Sequence, residues 1–214
     1  MRFRVLLILI GFLLVAATFT LPTWYPLLPR GDGDTSLFPG LAAELQPAFA
    51  ALPADRQQAY LNMLEAATPG VPLAMLQAAL SPATLAPTEA MPELVGSQLS
   101  LSGAFGGLDG TRVVSGNVEI YQQADASWLL RLQAFSTTNA PDLRIILSIM
   151  RAPQTLEDLR MGNQDYEVSA LRSIAGDQNY LLPAEVDARQ YGSVVIFSDD
   201  LQMIYGYAEL IRRR

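Results

Sequence analysis

The side chains of this chain that could do chemistry are of three kinds: carboxylates, hydroxyls and arginine guanidiniums. Cysteine and histidine are absent, and all 14 basic residues are arginine, so lysine is absent as well. Disulfides, thiol redox centres and thiolate nucleophiles are therefore excluded. So are the histidine ligands usual for zinc and haem, the histidine of Ser-His-Asp and Cys-His machinery, and Schiff-base chemistry on lysine. No metal or cofactor is expected, and the chain is not expected to be an enzyme.

The remaining candidates have alternative readings. Asp142 follows a proline in the turn Asn139-Ala140-Pro141-Asp142. It can present a carboxylate at the rim of a domain, although the commoner use of such an aspartate is to cap a turn through its own backbone. Asp177, Gln178, Asn179 and Tyr180 follow Gly176. Amides beside a tyrosine suit a hydrogen-bonding rim, while Gly176-Asp177 equally suits a tight turn.

Asp199-Asp200 resembles a carboxylate pair, but glycoside hydrolysis needs carboxyls about 5 to 9.5 Å apart across a substrate. Neighbouring strand residues point to opposite faces, and Ser-Asp-Asp between apolar runs is hairpin chemistry. Tyr166, Tyr180, Tyr191, Tyr205 and Tyr207, with Trp128, would suit a stacking platform or a hole-hopping path. They equally suit cross-strand packing. Asp32 and Asp34 lack the further acidic ligands and closing glutamate of a calcium loop, so residues 31–39 are read as a linker. Arg212 to Arg214 are read as a solvated tail, with contact to anionic lipid or wall polymer as the alternative.

Three segments must position these residues. Residues 1–30 hold an uncharged run, 5–21, preceded by Arg2 and Arg4 and followed by Trp24 and Tyr25. As a helix it would be about 25 Å long, close to a hydrocarbon core. The leading arginines put its first end in the cytoplasm. A cleaved signal peptide ending near Ala16-Ala17 is the competing reading; the apolar sequence continuing through Phe19, Leu21 and Trp24 favours an anchor. Both place the rest of the chain outside the cytoplasm, and the anchor makes it a single-pass membrane protein.

Residues 31–95 read as linker and helical stalk. Tyr60, Met63, Leu64 and Ala67 recur at helical spacing, and Pro72 opens a second helix striped by Leu73, Leu76 and Leu80. Pro82, Pro87 and Pro92 make a stiff connection. Residues 96–214 change to strand grammar. Candidates lie at 98–105, 113–121, 128–135, 143–150, 165–171, 179–182, 193–197 and 203–210, with turn signals such as Gly176-Asp177 between them. About eight strands without a long intervening helix predict a mainly β fold, an antiparallel sandwich or barrel. The net charge of −7 argues against a nucleic-acid partner.

Gly103 with Phe105, Ser115-Gly116 leading to Val118, Leu130-Arg131-Leu132, Pro141-Asp142-Leu143 and Gly176-Asp177-Gln178-Asn179-Tyr180 occur in an order that resembles the DM-thirteen domain family. Pro183, Ser193-Val194-Val195-Ile196 and Tyr205-Gly206 continue it. This family is also described as an electron-transfer domain. The resemblance implies a β-rich extracytoplasmic module whose proposed redox role rests on a cysteine just after the Ser-Val-Val-Ile strand. The aligned position here is Ser198, and a serine hydroxyl cannot cycle between thiol and disulfide. The expectation is a membrane-anchored binding or scaffold module with an unknown extracytoplasmic protein or ligand as partner. Its binding candidates are Asp142, Asp177, Gln178, Asn179, Tyr180 and Ser198. The alternative is an electron-transfer protein using a bound cofactor, a carboxylate-held metal, or its tyrosines and tryptophan.

Overall fold

Alternating apolar and polar residues fold the chain from Gln98 onward into antiparallel strands in the computed structural model, which describes residues 37–66, 70–83, 85–160 and 164–213. The expected anchor or signal peptide and the Asp32/Asp34 linker lie outside the described residues. The strands are β1 (Gln98–Gly107), β2 (Val114–Gln122), β3 (Trp128–Thr137), β4 (Leu143–Ser148) and β5 (Tyr166–Ala170). They continue as β6 (Ala175–Leu182), β7 (Ser193–Ser198), β8 (Met203–Glu209) and the short β9 (Ile211–Arg212). Each of the eight expected strands is present. Their order in the sheet is β5-β4-β7-β8-β1-β2-β3-β6, with β9 added on β1. Of the two expected architectures, the chain adopts a nearly closed, barrel-like sheet.

The two edge strands, β5 and β6, are consecutive in sequence and meet through the loop 171–174. One end of that loop continues the β4 pairing, with Leu171 N–H donating to the Leu143 carbonyl at 2.7 Å; the other continues the β3 pairing, with Thr137 N–H donating to Ile174 at 2.9 Å. Inward-facing Val118, Ile120, Leu130, Leu132, Ile145, Leu147, Val194 and Ile196 fill the interior. β7 is buried along its whole length. Its alternate residues Val195 and Phe197 pack outside the barrel with Ile204 and Leu159, which is why Val194-Val195-Ile196-Phe197 is an unbroken apolar run.

The outer cluster is covered by a short helix that the strand reading passed over. Before it come α1 (Gln46–Ala50), α2 (Ala54–Ala66) and α3 (Val71–Leu80); the outer helix is α4 (Leu156–Arg160). Phe38, Phe49, Tyr60, Met75 and Leu76 are buried in the same core cluster as the barrel interior. Phe38 meets Phe49 edge to face at 5.4 Å, a geometry favoured by the ring quadrupoles. The α3 face is turned from the expected Leu73–Leu76–Leu80 stripe: Pro72, Met75 and Leu76 are buried, while Leu73 and Leu80 are half-buried. The Asn139 side chain ties this layer to the barrel by donating to the Ala78 carbonyl at 2.9 Å.

Gly176 does not lie in a turn. It sits within β6 at φ +96, opposite Phe135, where the β3–β6 register shifts. A glycine was legible there, but the bulge it serves keeps the strand going instead of reversing it. A Cβ at this position would come within 2.8 Å of the Thr88 hydroxyl, because residues 85–92 run along β6. That proline-rich stretch is held at Glu89, whose N–H donates to the Asp177 carbonyl at 2.9 Å.

β1 lies between β8 and β2, so its loss would open the sheet at its middle and expose two unpaired strand edges. A chain lacking residues 1–107 is predicted not to unfold cooperatively in a circular-dichroism melt, whereas one beginning at Leu37 is predicted to do so. A sharp melting transition from the shorter chain would disprove the requirement for β1.

Candidate functional site

β7 ends at Ser198, whose backbone pairs with Leu143 at the start of β4. This register points the hydroxyl at the turn just before β4. Ser198 Oγ donates to the Pro141 carbonyl at 2.6 Å and accepts from Leu201 N–H at 3.3 Å. The residue has no exposed surface. Asp142, beside it, adopts φ +43, a left-handed conformation that aspartate tolerates better than most residues. Its carbonyl accepts from Asp199 N–H at 3.0 Å. Its carboxylate faces Arg144, with Nη2 at 2.9 Å, and Arg144 also bonds Glu167. Asp142 and Ser198 thus come together, and their hydrogen bonds join the β3–β4 and β7–β8 turns.

The other four candidates do not form one rim. The two-residue period of β6 sends Asp177 and Asn179 outward and Gln178 and Tyr180 inward. Asp177 accepts from Arg131 Nη2 at 2.6 Å and from Ala134 N–H at 2.8 Å. Arg131 is one of the buried charged residues, and its Nη1 also donates to Asn179 Oδ1 at 2.8 Å. Asn179 in turn donates to Glu89 Oε2 at 3.1 Å and the Ala90 carbonyl at 3.0 Å, while Glu89 pairs with Arg172. Both outward candidates are therefore covered by the strap 85–92.

The inward pair closes the β5–β6 seam. The Gln178 amide donates to the Ser173 carbonyl at 2.9 Å and accepts from the Ser173 N–H at 3.2 Å, so it satisfies both backbone groups of one loop residue. Tyr180 donates its hydroxyl to Gln178 Oε1 at 2.7 Å and accepts from Arg172 N–H at 3.2 Å. The Arg172 guanidinium lies 4.3 Å from the Tyr180 ring centroid, within cation–π range.

Asp199 accepts from Gln202 within the β7–β8 turn at 3.0 Å. With Asp165 it edges an outer groove of about 480 Å³ floored by Ile146, Leu156, Leu159 and Phe197. One feature that the strand reading missed, α4, had a legible signal. Thr155 Oγ accepts from Asp158 N–H at 3.2 Å, and Asp158 Oδ2 accepts from Thr155 N–H at 2.9 Å, the reciprocal pattern of a capping box.

Of the tyrosines read from the sequence as either a stacking platform or packing, Tyr205 is packed in the core near Tyr60 and Asp109. Tyr205 is fully buried, and among the described residues its hydroxyl has no hydrogen-bond partner. Burial pushes its pKa up, and burial likewise pushes Tyr60 up to about 12. Both phenols stay neutral at ordinary pH, so neither acts as a base. Nearby Asp109 accepts from Thr111 Oγ at 2.6 Å and Thr111 N–H at 2.8 Å, and pairs with Arg112 at 2.6 Å. Among the described residues no three acidic side chains gather to hold a metal ion.

Two predictions follow from this geometry. Burial alone would raise the Asp109 carboxyl, but hydrogen bonds from Thr111 and Arg112 outweigh it and hold the pKa at about 2. An unfolded aspartate titrates near ~3.9, so this group adds stability that is complete above about pH 4 and is lost as pH falls toward about 2. Asp109→Asn is predicted to narrow the difference in melting temperature between pH 5 and pH 2; an unchanged difference would show that Asp109 contributes nothing to the acid limb. For Ser198→Cys, which introduces the chain's sole thiol, burial predicts modification by a thiol reagent slower than in denaturant by on the order of 100-fold or more. Comparable rates in native buffer and in denaturant would contradict the buried placement.

The family model described as "Electron transfer DM13" matches residues 108–210. No curated protein and no solved structure matches the chain. The matched stretch begins just after β1, ends just after β8, and includes the Ser198–Pro141 corner, the seam and the α4 cluster. Residues 108–210 thus match the DM13 family model, and β1, which lies just before them, completes their sheet.

Proposed function

We propose that the protein is a membrane-anchored, extracytoplasmic binding or scaffold module without catalysis of its own. The observation that carries this reading is Ser198, at the position where the family resemblance expects a cysteine. It is buried, with its hydroxyl bonded to the Pro141 carbonyl. A hydroxyl so placed supports a turn and meets no substrate.

The rest of the site supports the same reading. Asp177, Gln178, Asn179 and Tyr180 are occupied in closing the barrel and holding the strap. The buried tyrosines stay protonated, and no histidine, cysteine or lysine is available as base or nucleophile. Among the described residues no helix is long and apolar enough to cross a membrane. The anchor is proposed for residues 5–21 on their apolar run and flanking arginines. The partner is an extracytoplasmic protein or ligand, and the acidic net charge disfavours nucleic acid.

The family description supports a second reading, electron transfer. Without the cysteine, it requires a bound cofactor, a carboxylate-held metal, or transfer through tyrosine and tryptophan. Fractionation of cells, followed by visible absorption and elemental analysis of the full-length protein from natively solubilised membranes, separates the two. The binding module predicts a protein that sediments with membranes and is colourless and metal-free after purification. A stoichiometric chromophore or metal would replace it with the electron-transfer reading, and a protein wholly in the cytoplasmic fraction would remove the anchor.

A further inference from the structure

The groove of about 480 Å³ on the outer face of the sheet has an apolar floor and an acidic edge. Ile146 of β4, Phe197 of β7, and Leu156 and Leu159 of α4 make the floor. Two carboxylates line it as well, Asp165 from the segment entering β5 and Asp199 from the β7–β8 turn. Neither forms an ion pair among the described residues. Asp199 is exposed, and its Oδ1 accepts from Gln202 Nε2 at 3.0 Å. Asp165 is half-buried, and its Oδ1 accepts from the Ile149 N–H at 3.2 Å. Its Oδ2 is shut off from solvent and has no partner among the described residues. A carboxylate oxygen so placed has lost its water and gained no donor, which is unfavourable until a donor arrives.

The charge around the groove is one-sided. The stretches that form it, 142–146, 156–160, 165–167 and 197–202, contain seven carboxylates and two arginines, Arg144 and Arg160, an excess of five negative charges in a chain whose net charge is −7. Arg144 is taken up by Asp142 and Glu167. The other neighbours of Asp165, Ile149 and Tyr191, bring no positive charge. Arg151, which lines a separate hollow with these two, is paired with Glu209 at 3.0 Å.

We infer that this groove binds a small organic ammonium with an apolar body, its N–H groups donating to Asp165 and its body lying on Phe197, Leu156 and Ile146. Asp199 adds to the attraction from the turn. The unmet oxygen requires a donor, and the negative excess favours one that carries positive charge. The apolar floor favours an organic cation that buries its body there over a hydrated metal ion, which gains nothing from Phe197 and Leu156. Among the described residues no three acidic side chains gather to replace a metal ion's water. This gives the binding module a ligand class, and rests on that reading only in supposing that the module's role is to bind.

The probe is 4-fluorobenzylamine, protonated at pH 7, followed by fluorine NMR line broadening with the full-length protein in neutral detergent. Protein-free micelles are the blank, and 4-fluorobenzyl alcohol is the uncharged control. The amine is expected to bind at least ~10-fold more tightly than the alcohol. Asp165→Asn is expected to weaken it at least ~10-fold with an unchanged circular-dichroism melt, because the amide keeps an acceptor for the Ile149 N–H and loses the charge. Asp200→Asn removes the same charge from a turn residue outside the lining, and is expected to change the affinity less than ~2-fold. If Asp165→Asn misfolds, Asp199→Asn, at an exposed residue, and the amine–alcohol ratio decide the matter, with a loss of about 3-fold expected from the variant. Equal binding of amine and alcohol, no broadening at millimolar ligand, full affinity in a folded Asp165→Asn, or a loss in Asp200→Asn as large as in Asp165→Asn would overturn the site. Tighter binding of calcium than of the amine would overturn it too, and assign the carboxylates to a metal ion. A purified protein that carries a chromophore and still selects the amine through Asp165 would keep this site and remove only the non-redox reading. A colourless membrane protein that ignores the amine would remove this site alone.

Discussion

The barrel depends on how its last two edges meet. Among the described residues, seven antiparallel pairings from β5 to β6 build an open sheet, and an open sheet leaves a row of unpaired backbone groups on β5 and on β6. The loop 171–174 satisfies one group on each side. The Gln178 amide then takes both the N–H and the carbonyl of Ser173. A primary amide has a donor and an acceptor at the spacing of a peptide group, so it can stand in for a missing strand partner. Gln178 is 2% exposed, and leaving its partners unsatisfied in that environment would cost about 1 to 3 kcal/mol for each group. The seam explains why an inward strand position carries glutamine where an apolar residue would otherwise be expected.

On the outer side of the neighbouring strand, the buried Arg131 of β3 sets a second constraint. Its guanidinium is held by Asp177 and Asn179, and among the described residues its Nε has no partner. Removing one member of a buried ion pair costs about 3 to 5 kcal/mol, because the other charge stays behind. The strap 85–92 therefore has a defined place to lie: it brings the Glu89 carboxylate and the Ala90 carbonyl to a surface already committed to charge. Glu89 and Arg172 extend the network to the loop at the seam. The proline-rich connection is a stiff segment, as its composition implies, and its stiffness lowers the entropy lost when it docks.

Strand grammar made most of the barrel legible. Val118-Glu119-Ile120 and Leu143-Arg144-Ile145-Ile146-Leu147 alternate as their burial does. The extent of β6 was harder to read because Gly176-Asp177-Gln178-Asn179 has turn composition, while a bulge and a seam require those residues inside a strand. The candidate site was legible as a set of polar residues and not as an arrangement. Asp177 and Gln178 are adjacent in sequence yet point to opposite sides of the sheet, and which side is covered depends on residues 85–92, some ninety positions earlier. The place of the carboxy-terminal arginines was hidden for the same reason: Arg212 lies in the short β9, whose pairing is set by the distant edge of β1, and nothing in Ile-Arg-Arg-Arg announces it.

Ser198 meets a structural requirement at the end of β7. At the end of β7 the chain needs a small side chain that can bond the Pro141 carbonyl and receive the Leu201 N–H, because the β4–β7 ladder ends there and two turns meet beyond it. A hydroxyl does both in one rotamer-sized space, being donor and acceptor at once. A thiol has the same valence pattern but weaker hydrogen bonds. Serine is thus a sound structural solution at a site where a cysteine would offer reactivity. In this chain the corner holds the turns together, and the surface left with unpaired character lies elsewhere, at the outer groove beside α4.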